Sequence, residues 1–199
     1  MLNKKPVLLP SEQIELLFHV LNSGWITNWG TAIDGGAHIG EWTRIMAGRF
    51  NIVHAFEPNP DTFAILRSNI FSDRVVLHQT ALLDEAAQVD VFHKKNLNPR
   101  GDFVRKVPTG LVRSTTIDQL QVRSCGLIKL DLEGAEYLAL LGAIKTLDRC
   151  RPVLIVEIDT YGHRYGTTDD DVINFICGVG YQHKLSFGVD RVFIRGDYR

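Results

Sequence analysis

Cysteine is scarce in this 199-residue chain, which has three cysteines far apart in the sequence, Cys125, Cys150 and Cys177. An odd number of separated cysteines without a CxxC pair argues against a disulfide framework and against a zinc site. The chain also lacks any apolar run near the ~20 residues that a membrane-spanning helix needs. Within its first ten residues the apolar stretch is short and lies between two prolines, which is unlike a signal peptide. We therefore expect a cytoplasmic protein with reduced thiols and no membrane segment.

An excess of charge is missing as well, since 22 basic residues stand against 23 acidic ones and the formal net charge is −1. This balance argues against a surface that binds polyanions over its whole extent, but it is compatible with a local basic patch. The length is about that of one domain, and the 45% hydrophobic content is sufficient for a sizeable core. We predict a single domain over 30–199 with a helical extension over 1–29.

Helical and strand-like segments alternate along the chain, which is typical of a doubly wound α/β fold with a mostly parallel sheet and helices on both faces. A short gap at Gly188 predicts that the last two strands form an antiparallel hairpin at one edge. The predicted helices cover 11–22, about 40–49, 61–70, 135–147 and 168–178. The predicted strands cover 31–34, 51–57, 74–82, 88–93, 126–131, 153–158, 181–187 and 190–195.

One segment interrupts this alternation, residues 93–110, and we predict a long loop there. It carries five basic residues against one Asp. The basic residues are Lys94, Lys95, Arg100, Arg105 and Lys106. They form either a solvated mobile loop or a contact to an anionic acceptor, such as a phosphorylated or carboxylated sugar or a nucleic-acid phosphate. Few aromatic residues accompany them, which disfavours nucleic acid.

Acidic residues stand at the ends of four of the predicted strands. Asp34 ends the first strand and Glu57 the second, and Asp131 and Glu157 end two later ones. Ligands of open parallel sheets bind outside the carboxyl ends of the strands. A structural acid gains little from that position, so these four residues predict a functional site.

The first turn, DGGAHIG (34–40), points to a nucleoside ligand. Gly36 and Gly40 allow the backbone to approach a ligand closely. The G-G-x-x-x-G spacing differs from that of pyrophosphate binders, and an acid before the glycines suits an ammonium group better than a phosphate. Glu57 follows Asp34 by 23 residues, where an acid at the end of the second strand can hydrogen-bond both ribose hydroxyls. S-adenosylmethionine combines these groups, whereas a purely structural turn is the alternative.

A second motif, IKLDLEGAE (128–136), places two carboxylates at a strand end. Asp131 is expected over the same crevice as the first turn, where it can accept a proton from a substrate hydroxyl or orient it. Asp131 and Glu133 can instead hold a divalent ion. Gly134 permits the turn into a helix, and Glu136 is best explained as a first-turn acid stabilised by the helix dipole.

Five strings, DGGAHIGEWT, FEPNP, TALLD, TTIDQL and IKLDLEGAE, occur in an order and spacing that closely resemble the FkbM family of S-adenosylmethionine-dependent methyltransferases. The resemblance covers about residues 30–160. It implies a Rossmann-like class I methyltransferase fold whose seven-stranded sheet has the order 3-2-1-4-5-7-6. It also implies O-methylation of a hydroxyl on a sugar, a glycan or another small-molecule acceptor, with S-adenosylmethionine as cofactor and methyl donor.

The resemblance also implies roles for individual residues. The first turn (34–40) would hold the methionine part of S-adenosylmethionine, and Glu57 would hold its ribose. Asn59 and Ala81 would lie near the adenosine, and Asp131 would face the methyl group that is transferred. Gly35 replaces the usual valine of the family, and His38 replaces an asparagine, although imidazole can still donate a hydrogen bond. The candidate cofactor-binding residues are Asp34, Gly35, Gly36, His38, Gly40, Glu57, Asn59 and Ala81.

The candidate catalytic residues are Asp131, Glu133 and His163. Asp131 is the first candidate for the general base, and His163 is the second because it follows the 153–158 strand. In the same segment, Tyr161 and Tyr165 can form one side of a substrate-binding site. Two other hypotheses keep the fold: a non-catalytic cofactor- or partner-binding module, and a nucleic-acid-directed methyltransferase that uses the 94–106 segment. A nicotinamide-dependent oxidoreductase is disfavoured by the glycine spacing.

Overall fold

The computed structural model of the chain describes residues 11–92 and 101–196. The first elements are α1 (Ser11–Asn22), β1 (Thr31–Gly35), α2 (Glu41–Ala47), β2 (Ile52–Phe56), α3 (Pro60–Asn69) and β3 (Val75–His78). They are followed by β4 (Thr80–Leu82), β5 (Gln88–Phe92), β6 (Phe103–Lys106), β7 (Val112–Thr115) and a 3-10 helix (Ile117–Leu120). The last elements are β8 (Cys125–Leu130), α4 (Glu136–Leu141), α5 (Ile144–Cys150), β9 (Val153–Glu157), a second 3-10 helix (Thr160–Tyr165), α6 (Asp169–Gly178), β10 (Tyr181–Phe187) and β11 (Asp190–Arg195).

Seven of the described strands form one sheet with the order β10-β11-β9-β8-β1-β2-β3. Strands β9, β8, β1, β2 and β3 are parallel, whereas β11 is antiparallel to both β9 and β10. Numbered within this sheet from the β3 edge, the order is 3-2-1-4-5-7-6, as the resemblance implied. The α/β class is therefore confirmed, and the sheet is mixed rather than purely parallel.

Apolar layers cover both faces of this sheet. One layer contains buried residues of α4, α5 and α6, and the other contains buried residues of α1 and α2. Neighbouring residues of a strand enter opposite layers, as Ala32 and Ile33 of β1 show. Leu17 and Val20 of α1 are fully buried in the second layer. The N-terminal helix is therefore part of the core that supports the sheet.

A second sheet, which the sequence analysis did not predict, has the order β4-β7-β5-β6 among the described strands. The single strand predicted over 74–82 is wrong, because β3 ends at His78 in the first sheet and β4 begins at Thr80 in the second. Strand β7 was missed entirely. Its residues alternate between buried and less buried positions over only four residues, which is too short a pattern to stand out.

The loop predicted over 93–110 is wrong where it overlaps β6, which pairs antiparallel with β5. Within β6 only Val104 is buried, and the exposed pair Arg105 and Lys106 gives the strand the composition of a solvated loop. Residues 93–100 of that predicted loop, with Lys94, Lys95 and Arg100, lie outside the described residues.

The single helix predicted over 135–147 is two helices, α4 and α5. The carbonyl oxygen of Gly142 accepts a hydrogen bond from the Asp118 backbone N–H (2.9 Å), so the chain turns at this point. The Asp118 carboxylate then accepts hydrogen bonds from the backbone N–H groups of Lys145 and Thr146 at the start of α5. These contacts satisfy donors that a new helix start leaves open. Their cause is distant in sequence, and helical periodicity does not reveal it.

Candidate active site

A cavity of about 390 Å³ lies at the carboxyl ends of the central strands. Its walls come from the β1–α2 turn, from the ends of β2, β8 and β9, from β4 and β6 of the second sheet, and from α1. The predicted site residues that line it are Gly36, His38, Glu57, Ala81, Asp131 and Glu133. The predicted site residues outside its lining are Asp34, Gly35, Gly40, Asn59 and His163.

Asp34 lies beneath the first turn and is completely buried. Its Oδ2 accepts a hydrogen bond from Thr43 Oγ1 (2.6 Å), and its Oδ1 is 3.4 Å from Lys129 Nζ. Buried carboxylates are stable only when they are paired in this way. Asp34 therefore supports the turn from below through Thr43 and Lys129.

Gly36 and Gly40 are both required by close packing within the protein. Each has a positive φ, +73° at Gly36 and +90° at Gly40. A Cβ at Gly36 would lie 1.9 Å from the Asp131 carbonyl oxygen, and one at Gly40 would lie 2.7 Å from Leu66 Cδ1. Gly35 lies in β1, where a Cβ would come within 3.1 Å of Leu82 and of Leu130. Because these glycines have no Cβ, the turn can pack closely against the end of β8 and against α3.

We expect Gly36→Ala to destabilise the fold by about 2–3 kcal/mol or more, because a Cβ clashes with backbone in addition to its strain at positive φ. Chemical denaturation measures this loss. The matched control is Gly166→Ala, since Gly166 has the same φ of +73° and no atom within 4 Å of an added Cβ. The control isolates the conformational strain of about 1–2 kcal/mol. Equal losses in the two variants would show that the contact with Asp131 is unimportant.

Glu57 lines the cavity at the end of β2 and is 6% exposed. Its Oε2 accepts a hydrogen bond from the His38 backbone N–H (3.1 Å), and its Oε1 accepts one from the Asn59 backbone N–H (2.9 Å). The positive φ of His38, +50°, belongs to the tight turn that brings this N–H to the carboxylate. Burial raises the pKa of Glu57 to about 7, although the two backbone hydrogen bonds act in the opposite direction.

Asn59 caps α3 instead of lining the cavity. Its Oδ1 accepts hydrogen bonds from the backbone N–H groups of Asp61 (2.8 Å) and Thr62 (3.3 Å), as N-cap asparagines do. Its Nδ2 donates to the carboxylate of Asp102. Asp102 lies just before β6 and lines the cavity near Glu57. No sequence pattern pointed to Asp102, because its position depends on the unpredicted second sheet.

Lys129 is the functional candidate that the sequence analysis missed. Its side chain is 6% exposed, and its Nζ donates to the carbonyl oxygens of Gly35 (3.1 Å) and Gly36 (2.9 Å). The Nζ is also 3.5 Å from Asp131 Oδ2. Burial by itself lowers the pKa of Lys129, but the carboxylates of Asp131 and Asp34 outweigh it and the net shift is upward. A lysine inside the apolar strand 126–131 must be paired, and that signal was available in the sequence.

Asp131 opens into the middle of the cavity, with 32% of its side chain exposed. Glu157, at the end of β9, lines the same cavity. Burial is the main cause, and the charge of Asp131 the second, that raises the pKa of Glu157 far above its ordinary value. Asp131 thus lies near the cationic Lys129 and shares the cavity with a glutamate that favours its protonated form.

Glu136 holds the turn that carries Asp131. Its carboxylate is buried and accepts hydrogen bonds from the backbone N–H groups of Leu132 (2.5 Å) and Gly134 (3.3 Å). Burial raises its pKa to about 8, against the effect of these hydrogen bonds. A structural role for Glu136 was predicted, and the contacts with the turn are more specific than stabilisation by a helix dipole.

Glu133 lines the cavity, and its Oε2 is 3.5 Å from Arg164 Nη1. The same Nη1 donates to the Glu133 carbonyl oxygen (2.8 Å), which joins the turn after β8 to the second 3-10 helix. In that helix Tyr161 lines the cavity, whereas the Tyr165 hydroxyl hydrogen-bonds the Val104 backbone. His163 is exposed, and its Nδ1 contacts the Thr160 carbonyl oxygen. The structure does not bring His163 into the cavity.

Two of the five predicted basic residues are described, and neither lines the cavity. Lys106 Nζ pairs with Asp84 Oδ1 (2.8 Å) and Glu85 Oε1 (2.7 Å). The Arg105 guanidinium lies over the rings of Phe92 and Phe103. These two charges are therefore engaged by other residues outside the cavity lining.

Two kinds of feature are absent from residues 11–92 and 101–196. No cluster of three or more His, Cys, Asp or Glu side chains in these ranges has a geometry that could hold a metal ion. Across the same ranges, no helix has both the length and the apolar character required to cross a membrane.

The mixed seven-stranded sheet, with its cavity at the carboxyl ends of the parallel strands, defines a class I methyltransferase fold. Solved structures agree with this fold. A methyltransferase FkbM from Methylobacillus flagellatus superposes with a TM-score of 0.56 at 19% identity, over 83% of this chain and 43% of that chain. A precorrin-6y C5,15-methyltransferase from Geobacter metallireducens gives 0.54 at 14% identity, over 90% of this chain and 86% of the other. The chain thus spans less than half of the FkbM structure.

The family model described as the methyltransferase FkbM domain matches residues 34–183. The chain therefore belongs to the FkbM methyltransferase domain family. This confirms the enzyme class that the resemblance implied, a methyltransferase. The cofactor, S-adenosylmethionine, agrees with neighbours of the same fold that were solved with this nucleoside or with S-adenosylhomocysteine bound. No curated protein sequence matches the chain.

Proposed function

We propose that the enzyme transfers the methyl group of S-adenosylmethionine to a hydroxyl oxygen of a sugar, a glycan or another small-molecule acceptor. The observation that carries this proposal is the position of Asp131. Its carboxylate opens into the cavity beside Lys129, with the cofactor candidate Glu57 at one end and the β9 end at the other. A carboxylate in that position can accept the proton of an attacking hydroxyl.

The residues of the cavity fit the cofactor. The carboxylate of Glu57 is already held in place by two backbone N–H groups. In this position it can accept hydrogen bonds from both vicinal hydroxyls of a ribose. Phe56, Ala81 and Leu82 add apolar surface beside it for a base. Because Asp34 lies outside the lining, we assign it to the support of the turn. Gly36 and His38 then face the methionine part directly.

When bound, S-adenosylmethionine supplies an electrophilic methyl group on a positively charged sulfur. Asp131 orients the acceptor hydroxyl toward it and takes the proton as the oxygen attacks. Lys129 Nζ lies 3.5 Å from Asp131 Oδ2 and helps to hold this carboxylate in position. Val104 and Leu132 line the same cavity and help to exclude water. Positioning within such an enclosed site accounts for much of the rate of a two-substrate reaction.

Calorimetric titration with S-adenosylmethionine, S-adenosylhomocysteine and NAD tests the first part of the proposal. We expect both sulfur nucleosides to bind at micromolar concentration and NAD not to bind. Methyl transfer is then followed by mass spectrometry over a panel of sugars, glycans and other alcohols. Cofactor binding without any methylated product would favour the non-catalytic binding module instead, and methylation of nitrogen or carbon alone would contradict the assignment to hydroxyls.

Glu57 predicts a pH dependence of cofactor binding. Ribose hydroxyls donate to the ionised carboxylate, so binding is linked to deprotonation of a group whose pKa is about 7 in the folded protein. The affinity for S-adenosylhomocysteine should therefore rise toward pH 7, by up to about tenfold per pH unit, and become constant above it. Glu57→Gln should bind more weakly and without this rise. Glu15→Gln, at an exposed position of α1, is the control. A flat profile in the unmodified enzyme would contradict the ribose contact.

A further inference from the structure

The β9 end of the cavity carries carboxylates and an aromatic ring but little positive charge. Glu157 and Asp159 line it after β9, and Trp42 of α2 lines the same cavity near Lys129. Among the described residues that line the cavity, Lys129 is the only lysine or arginine. We call the group of Trp42, Glu157 and Asp159 the carboxylate end.

We propose that the acceptor carries a protonated amine beside the hydroxyl that is methylated, as in an amino sugar, and that the carboxylate end binds this ammonium group. The inference rests on the proposed function, because it names the class of acceptor for the same site. It also replaces the anionic acceptor that the basic segment predicted.

The order of the strands places the acceptor at this end. Across the sheet the order is β2, β1, β8 and β9, and all four strands present their carboxyl ends to the cavity. Glu57, the ribose candidate, follows β2, and Asp131, the base candidate, follows β8. A nucleoside at β2 whose methyl group reaches Asp131 leaves the space over β9 for the second substrate. The carboxylate end is that space.

Lys129 is shared among several carboxylates, those of Asp131, Asp34, Asp190 and Glu157, so one positive charge faces a larger number of acids. Two donors of Lys129 Nζ are engaged by the carbonyl oxygens of Gly35 and Gly36, and its closest carboxylate is that of the buried Asp34. Asp190, at the start of β11 behind the carboxylate end, adds a further carboxylate, whose Oδ2 accepts from Gln13 Nε2 at 3.5 Å. An acceptor with a phosphate or carboxylate would meet like charges here, which costs binding energy.

Two carboxyl groups near this end have raised pKa values, chiefly because they are buried. Burial is the main cause that raises the pKa of Asp190 to about 6, and the charge of Asp131 is the second. Burial is also the main cause of the raised pKa of Asp159, where the hydrogen bond from the Tyr161 N–H and the charge of Arg164 act in the opposite direction. A bound ammonium group favours the ionised form of Glu157, whose pKa is raised, so its binding is coupled to proton release. The Trp42 ring, whose centroid is 5.8 Å from Lys129 Nζ, adds apolar surface for the face of a sugar.

The positive charge of the cofactor is a competing explanation for the carboxylates. This explanation is excluded when the experiment uses S-adenosylhomocysteine, which lacks the positive sulfonium charge. Calorimetry on that complex compares three probes with the same ring: D-glucosamine, N-acetyl-D-glucosamine and D-glucuronic acid. They carry a cation, no charge and an anion. If S-adenosylhomocysteine itself fails to bind, the proposed function fails; if it binds, the probes test the acceptor class alone.

We expect glucosamine to bind about tenfold or more tightly than its N-acetyl form, since a charge pair in a partly buried site is only weakly screened. Glucuronic acid should not bind. Repeating the titration in buffers of different ionisation enthalpy should show proton release with glucosamine alone. Binding of glucuronic acid as tight as that of glucosamine, equal binding of all three, or binding of none would overturn the inference.

Asp159→Asn tests the site with little risk to the fold, because the amide oxygen can still accept the hydrogen bond from the Tyr161 N–H at the start of the second 3-10 helix. We expect it to remove most of the preference for glucosamine over N-acetylglucosamine while S-adenosylhomocysteine binding persists. The matched control is Asp170→Asn, an equal change of charge at an exposed position of α6. An unchanged preference in Asp159→Asn would contradict the assignment.

Discussion

Asp131→Asn is expected to lower turnover by about 10²–10⁴-fold, the contribution of a positioned general base, while binding of S-adenosylhomocysteine remains nearly unchanged. The amide is close in size to the carboxylate but cannot take the proton of the attacking hydroxyl. Lys129 retains its contacts with Asp34 and with the carbonyl oxygens of the first turn, so the cavity should keep its shape. Steady-state kinetics with a saturating acceptor measures the effect.

Glu133→Gln provides the comparison for this experiment. Glu133 lies two residues away and also lines the cavity, but its carboxylate is paired with Arg164 of the second 3-10 helix. We expect its substitution to change turnover much less than that of Asp131, with a modest loss of stability. Comparable losses of turnover in the two variants would mean that the cavity needs its negative charge and that Asp131 is not a specific base.

The sequence was sufficient to predict the main sheet because each of its motifs combines a strand with the turn that follows. IKLDLEGAE shows why: a continuous apolar run predicts β8, and the acid and glycine after it predict a tight turn at a sheet edge. The contacts of Gly36 and Glu136 confirm that these residues serve the turn itself. Periodicity and turn chemistry are local, and local signals survive in a single sequence.

The second sheet and the partners of the site were not predictable in the same way. Strand β4 has three residues and β6 has one buried position, so neither gives a clear alternation. Asp102 lines the cavity because β6 pairs with β5, and Asp34 lies outside the lining, 3.4 Å from Lys129 of another strand. Such contacts join residues far apart in the chain, and no local pattern encodes them.

Lys129→Met is expected to destabilise the enzyme by about 3–5 kcal/mol, the usual cost of removing one partner of a buried ion pair. The reason is Asp34, which is completely buried and has Lys129 as its cationic neighbour. Without the lysine, the carboxylate keeps the hydrogen bond from Thr43 Oγ1 but loses its countercharge, and the carbonyl oxygens of Gly35 and Gly36 lose a donor. Urea denaturation measures the loss, and a loss below about 1 kcal/mol would contradict the pairing.

The double variant Asp34→Asn/Lys129→Met separates folding from catalysis. A neutral asparagine removes the unpaired buried charge and can still accept from Thr43 Oγ1, so most of the lost stability should return. Turnover should not return with it, because Asp131 still lacks the positive charge 3.5 Å from its Oδ2. A double variant with restored stability and the turnover of the unmodified enzyme would show that Lys129 is purely structural; a stable protein with low turnover identifies it as the residue that positions the base.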